Sequence, residues 1–125
     1  FWMPFTPSVL KERAKDYIVN PKNIPAPYMI LTFESTEKAQ KEIKAAMHAY
    51  DFTVRPQLVE KDWNPGYYKI IKEFEKLTGV GAVLNTSFNL HGLPIVLGPR
   101  EAMHAFENSG LKYLAMENYL IQKEN

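Results

Sequence analysis

Residues 64–89, NPGYYKIIKEFEKLTGVGAVLNTSFN, carry the two periodicities that decide the fold. Asn64 followed by Pro65 is a helix start: a capping side chain, then a proline at the first helical position, where a missing N–H costs nothing. Tyr67, Ile70, Ile71, Phe74 and Leu77 recur at helical spacing and give an apolar face, which Gly79 terminates. Ala82-Val83-Leu84 then reads as a short buried strand. It feeds directly into the polar run Asn85-Thr86-Ser87-Phe88-Asn89.

The same alternation extends outward from this segment. Downstream, Pro99 opens a helix through Ala102, Met103 and Phe106 to Gly110, and Leu111 to Ile121 reads as one or two closing strands. Upstream, Phe52 to Val59 reads as a strand that Pro56 places at an edge or a bulge. Thr36 caps a helix whose inner stripe is Ala39, Ile43 and Ala46 or Met47. Tyr28 to Phe33 is a β-prone run, and Asn20 to Pro27, with three prolines, is a loop. Ser8 caps a helix reaching Ile18, with Val9, Leu10, Ala14, Tyr17 and Ile18 on one face. Phe1 to Pro7 is extended, because each proline restricts its predecessor. Strands alternating with helices predict an α/β or α+β fold, a twisted sheet with flanking helices. The helices beginning near Asn64 and Pro99 flank one strand, as in a crossover unit.

Composition narrows the function classes. A chain of 125 residues with 46% hydrophobic and 23% charged residues has the make-up of one ordered globular domain. Fifteen basic against fourteen acidic side chains leave no electrostatic footprint for nucleic acid. No apolar run approaches the ~20 residues that span a bilayer, so no membrane partner is expected. The lack of cysteine excludes disulfides and thiolate chemistry and agrees with a cytoplasmic location. His48, His91 and His104 have no metal-ligand spacing. Phe1-Trp2-Met3-Pro4-Phe5 is apolar from the first residue, which points to a piece of a longer protein whose upstream part covers that cluster. Self-association through the same surface, as a homodimer, is the companion expectation.

Two segments concentrate chemistry. Asn85, Thr86, Ser87 and Asn89 offer short donors and acceptors with Gly92 close behind, a loop suited to phosphate or carbamoyl recognition. The same residues also make an ordinary Asx or Ser turn between strands. In His48 to Gln57, the residues Asp51, Thr53, Arg55 and Gln57 alternate, so on a strand they share one face. That face is either a solvated one or a ligand platform, with Arg55 able to grip phosphate bidentately. Arg100, in the first turn of its helix, and His104, on that helix's surface, are weaker candidates.

In order and separation, these segments resemble the C-terminal region of the O-carbamoyltransferases, the family that includes nodulation-factor and antibiotic carbamoyltransferases. Met3-Pro4-Phe5-Thr6-Pro7-Ser8-Val9-Leu10 is similar to the family's "PFAPSVL" stretch, and Pro27-Tyr28-Met29 to its "SPYM". His48 to Gln57 follows "H-x-x-D-x-T-x-R-x-Q", and Asn64 to Tyr68 resembles "NPxYY". Leu84 to Ile95 matches "LNTSFNxxGxPI", the most specific of the five, and its loop also resembles that of the threonylcarbamoyl-AMP synthases.

The resemblance implies a threonylcarbamoyl-AMP synthase-like domain that handles two substrates, carbamoyl phosphate and ATP, and forms carbamoyl-adenylate. A preceding N-terminal catalytic domain, carrying a histidine-bound divalent metal or iron, would be its partner and would transfer the carbamoyl group to an acceptor hydroxyl. Within this chain Arg55 would clamp a phosphate. Asn85, Thr86, Ser87 and Asn89 would hydrogen-bond phosphate oxygens or the carbamoyl amide. Gln57 and His48 would orient the ligand, Thr53 would lie on their face, and Asp51 would hold Arg55 or His48. Many members have an arginine where this chain has Met3, and the glycine-, proline- and arginine-rich segment that precedes it in the family does not fall within these 125 residues. The rival reading is a non-catalytic nucleotide-binding or interdomain regulatory module.

Overall fold

The computed structural model describes residues 5–124, which form two compact units dividing between Thr86 and Ser87. The expectations for Phe1, Trp2, Met3 and Pro4 lie outside the described residues.

The first unit is built on a three-stranded sheet. Strand β1 (Thr6–Leu10) lies in the middle, with β2 (Gln57–Val59) on one side and β3 (Ala82–Asn85) on the other. β1 runs parallel to β2, with Ser8 opposite Gln57 and Leu10 opposite Val59. It runs antiparallel to β3, with Thr6 opposite Asn85 and Ser8 opposite Val83. Every residue of β1 is buried, as befits a strand covered on both edges and both faces. Pro7 is tolerated because the pairing with β2 starts only at Ser8, so one edge of β1 is still open there.

Alternation sends successive residues to opposite faces. Val9 joins the main core with Tyr17, Ile18, Ala39, Ile43, Met47, Val54 and Leu58. Leu10 joins a smaller cluster with Val59 and Ile71 of α3 (Pro65–Thr78), flanked by Tyr67, Tyr68 and Val83. Helices therefore flank an open sheet in a mixed α/β arrangement. Because β2 and β3 have opposite senses relative to β1, α3 links antiparallel edges and the expected crossover unit is not formed.

Several local expectations hold. Asn64 Oδ1 accepts the Tyr67 N–H (3.1 Å), Pro65 occupies the first turn, and Gly79 adopts φ 79°, the left-handed cap that favours glycine. Thr36 Oγ1 accepts the Ala39 N–H (3.1 Å) and starts α2 (Glu37–Glu42). Ala39, Ile43, Ala46 and Met47 are buried as the stripe requires. The strand expected over Phe52 to Val59 does lie at an edge of the sheet, but it starts only after Pro56, at Gln57–Val59, with Val54 making an isolated bridge.

Other expectations are corrected. Ser8 does not cap a helix, since pairing on both sides of β1 outweighs local preference. The helix that follows shrinks to a 3-10 turn (Lys11–Arg13) and one turn of α1 (Ala14–Tyr17). Tyr28 to Phe33 is not a strand: Met29 has φ 58°, and only Phe33 pairs, through an isolated bridge to Val54. Phe52, at φ 57°, likewise breaks the expected strand before Gln57. On α3 only Ile71 of the apolar face is fully buried, while Ile70 and Leu77 are 63% and 87% exposed.

The second unit comprises α4 (Pro99–Glu107), which buries Ala102, Ala105 and Phe106, and a hairpin of β4 (Tyr113–Met116) and β5 (Tyr119–Gln122). Both elements agree with the sequence reading. Lys123 Nζ lies 5.0 Å from the Phe106 ring centroid and donates to the Ser109 carbonyl (2.6 Å).

One buried side chain pins the first unit together. The Tyr17 hydroxyl donates to Glu42 Oε2 (2.9 Å) and accepts the Gly81 N–H (3.0 Å). Gly81 has to be glycine, because a Cβ there would lie 2.8 Å from Arg13 Cγ. Arg13 itself spans Asp16 and Glu75, at 2.6 Å each. Burial and the adjacent Glu42 carboxylate push the Tyr17 phenol up to about 12. A raised folded pKa favours the neutral form, so this stabilisation is complete below the ordinary tyrosine pKa of about 10 and disappears as pH rises toward 12. In a phenolate difference titration of the wild type against Tyr17→Phe, the missing transition should lie near pH 12. The substitution should also cost about 1–3 kcal/mol in urea unfolding, because it leaves a buried N–H unpaired. A Tyr17 midpoint at the ordinary value would contradict this arrangement.

Candidate functional site

The sheet brings together one residue from each chemical segment. Ser8 sits on β1 with its side chain wholly buried, and a buried hydroxyl needs partners inside the protein. It donates to Gln57 Oε1 on β2 (2.8 Å) and accepts from Asn85 Nδ2 on β3 (3.0 Å). Asn85 Nδ2 also reaches Gln57 Oε1 (3.1 Å) and contacts Met29 Sδ (3.7 Å). A closed triangle of side chains thus crosses all three strands. Ser8, Gln57, Val83 and Asn85 share the face of the sheet on which Leu10, Val59 and α3 pack. Gln57 and Asn85 stay half-buried, with surface left for a ligand.

Ser8 and Met29 are the members of this cluster that the sequence did not single out for chemistry. The available signal was a hydroxyl set between Pro7 and Val9 in a run that is otherwise apolar.

The segment from His48 to Pro56 is organised differently from a strand. Asp51 Oδ1 accepts the Thr53 N–H (2.9 Å) and hydroxyl (2.8 Å) and lies 2.9 Å from His48 Nδ1. The His48 N–H donates to the Thr53 carbonyl (2.9 Å) and the Phe52 N–H to the His48 carbonyl (3.0 Å), closing the loop. Asp51, Thr53, Arg55 and Gln57 therefore do not line one strand face as the alternation predicted. Asp51 engages His48, one of its two expected partners. The Thr53 N–H, then the Thr53 hydroxyl and His48, hold the Asp51 carboxyl below the usual aspartate range. Arg55 projects outward between buried Val54 and Pro56, and among the described residues it makes no ion pair.

Beyond Asn85, Thr86 is exposed. In the second unit the Ser87 hydroxyl donates to Asn89 Oδ1 (2.7 Å). The Asn89 amide donates to the carbonyls of Leu90 (3.1 Å) and Leu93 (3.0 Å). With Gly92 at φ 83°, these bonds hold a turn through the Asn89 amide donors, whereas an Asx turn would have the side-chain oxygen accept a backbone N–H. The turn leads from β3 to a helix rather than to a second strand. Arg100 and His104 of α4 line a cleft of about 440 Å³ walled by Leu93, Ile95 and Leu97, and His91 is exposed. Among the described residues no group of three or more histidine, aspartate or glutamate side chains is placed to hold a metal ion. Nor, among the described residues, is any helix long and apolar enough to cross a membrane.

Comparison with known proteins supplies the family. Residues 1–123 match the family model described as carbamoyltransferase C-terminus. An uncharacterized protein of Methanocaldococcus jannaschii is 41% identical over 123 residues, covering 98% of this chain and 23% of the relative. The nodulation protein NolNO of Sinorhizobium fredii is 36% identical over 123 residues, covering 98% and 18%. The nodulation protein NolO of Bradyrhizobium diazoefficiens is 32% identical over 123 residues, covering 98% and 22%. The chain spans less than a quarter of the length of each of these relatives. With a family match over almost its whole length, this chain belongs to the carbamoyltransferase C-terminus family.

Proposed function

We propose that this chain binds carbamoyl phosphate and ATP and helps to form carbamoyl-adenylate, within a longer cytoplasmic O-carbamoyltransferase. The observation that carries the reading is the Ser8–Gln57–Asn85 triangle, which joins the two segments that resemble the family's motifs. In this reading residues 1–125 act as one functional domain. The loop beginning at Asn85 works as its counterpart does in the threonylcarbamoyl-AMP synthases.

The reaction divides into two balanced steps. Water cleaves carbamoyl phosphate to carbamate and inorganic phosphate. A carbamate oxygen then attacks the α-phosphorus of ATP, and pyrophosphate leaves. Phosphoryl chemistry of this kind depends on positioning and charge neutralisation more than on covalent help. Arg55 supplies the charge, its outward guanidinium being unengaged by any ion pair among the described residues. His48, fixed by Asp51 and Thr53, orients the phosphate end. Gln57, Asn85 and Thr86 hydrogen-bond the carbamoyl end. Transfer to the acceptor hydroxyl, with the histidine-bound metal, belongs to the N-terminal domain of the longer protein.

Ser87 acts in this scheme as a hydrogen-bonding group and not as a nucleophile. Its proton already goes to an amide oxygen, that of Asn89, which is not a base, whereas a serine nucleophile needs a base to take that proton. The Asn89 amide holds the turn that keeps Ser87 in place.

Calorimetric titration of the full-length protein with ATP and carbamoyl phosphate, followed by pyrophosphate exchange, tests the whole reading. Binding without exchange would favour the non-catalytic module. Arg55→Ala should cost about 2–4 kcal/mol of transition-state stabilisation, as removal of one charge-stabilising donor does. Arg55→Lys should also impair exchange, because lysine keeps the charge but loses the planar fork. An Arg55→Ala protein with unchanged affinity and rate would sink the assignment. Ser87→Ala should leave measurable turnover. A carbamoyl adduct on Ser87, detected by mass spectrometry of the protein quenched during turnover, would overturn the hydrogen-bonding role.

A further inference from the structure

We infer that the free ends of Gln57 and Asn85 read the carbamoyl amide itself, and that Ser8 is the positioning residue that sets them. The inference deepens the proposed function and rests on it for the identity of the ligand, carbamoyl phosphate.

The argument is a count of donors and acceptors. A primary amide has two N–H donors at one end and a carbonyl acceptor at the other. In the triangle, Gln57 spends its oxygen, which accepts from Ser8 (2.8 Å) and from Asn85 (3.1 Å). Asn85 spends its nitrogen, which donates to Ser8 (3.0 Å) and Gln57. Gln57 Nε2 and Asn85 Oδ1 are left without a partner among the described residues. No buried side-chain polar atom there lacks one, so both ends reach solvent. The face consequently presents one amide donor from β2 and one amide acceptor from β3, the two strands that flank β1.

A carbamoyl group is the complement of that pair. Its carbonyl accepts from Gln57 Nε2 and its N–H donates to Asn85 Oδ1. A phosphate or carboxylate offers acceptors only, and would set a lone pair against Asn85 Oδ1. The reading is unchanged if both amides are turned over. The triangle then closes through Gln57 Nε2 and Asn85 Oδ1, and the free ends are Gln57 Oε1 and Asn85 Nδ2, again one acceptor and one donor. Ser8 has no exposed surface and touches no ligand. Its hydroxyl, donor to one amide and acceptor from the other, makes the two amides take complementary orientations.

Acetyl phosphate is the probe that isolates this role, since it replaces the carbamoyl NH₂ by a methyl group of similar size. Calorimetry of the full-length protein should show carbamoyl phosphate bound at least ~10-fold more tightly than acetyl phosphate, because a site built for an N–H leaves its acceptor unpaired against a methyl group. In Ser8→Ala the ratio should fall toward one. Asn85→Ala, at a half-buried strand end, should do the same even if the Ser8 variant folds poorly. A wild-type ratio near one, or a ratio that survives both substitutions, overturns the inference and leaves phosphate binding standing. Discrimination that depends on Ser8 and Asn85 in a protein that fails to bind ATP would support the reader and refute carbamoyl-adenylate formation. Failure to bind either acyl phosphate refutes both.

Discussion

A serine hydroxyl buried in the middle strand of a three-stranded sheet cannot be hydrated, and leaving it unpaired would cost about 1–3 kcal/mol. Ser8 meets that constraint with two partners on two different strands, Gln57 on β2 and Asn85 on β3. Slipping either pairing by one residue would move a partner to the other face and strand the hydroxyl. Hydrophobic burial of Val9 and Leu10 says that β1 belongs inside, but apolar surface alone is tolerant of register. The polar triangle adds the directional requirement. The two side chains recruited to satisfy Ser8 also join the two family-like segments across the sheet.

The remainder of the first unit supports that strand from both faces. Tyr17 ties α2 and the entry to β3 to α1 on the side of Val9, and Arg13 ties the same turn to Glu75 of α3. Ile71 closes the other side over Leu10 and Val59. α3 covers the Leu10 and Val59 end of its face and leaves the Gln57 and Asn85 end half-exposed. The same layering that builds the core thus leaves a polar opening on the sheet.

What was legible in the sequence was whatever local chemistry determines. Asn64-Pro65 and Gly79 fix both ends of α3, Thr36 fixes the start of α2, and Pro99 starts α4, because caps and prolines act on their immediate neighbours. The errors fall where distant contacts or a single backbone angle decide. Ser8 looks like a cap until β2 and β3 arrive to pair with its strand. Tyr28 to Phe33 and Phe52 to Val59 are β-prone in composition, yet Met29 and Phe52 take left-handed φ values that no propensity foretells. In the site, Gln57 and Asn85 were identifiable by type and by family resemblance, but not their junction, since Ser8 lies 49 and 77 positions away from them. The alternation from Asp51 to Gln57 misled because Asp51 closes a turn on Thr53. Strand periodicity applies only where a strand exists.

Membership of the carbamoyltransferase C-terminus family places the chain in a chemical context, and the triangle is the physical centre we propose for it. The account depends on Ser8 and Asn85 being energetically coupled, not merely adjacent. A double-mutant cycle in urea unfolding, with Ser8→Ala, Asn85→Ala and the pair, measures that coupling directly. Residues sharing a buried hydrogen-bond network should show an interaction energy of about 0.5–3 kcal/mol, whereas additivity within about 0.3 kcal/mol would contradict the triangle as the element that sets the site.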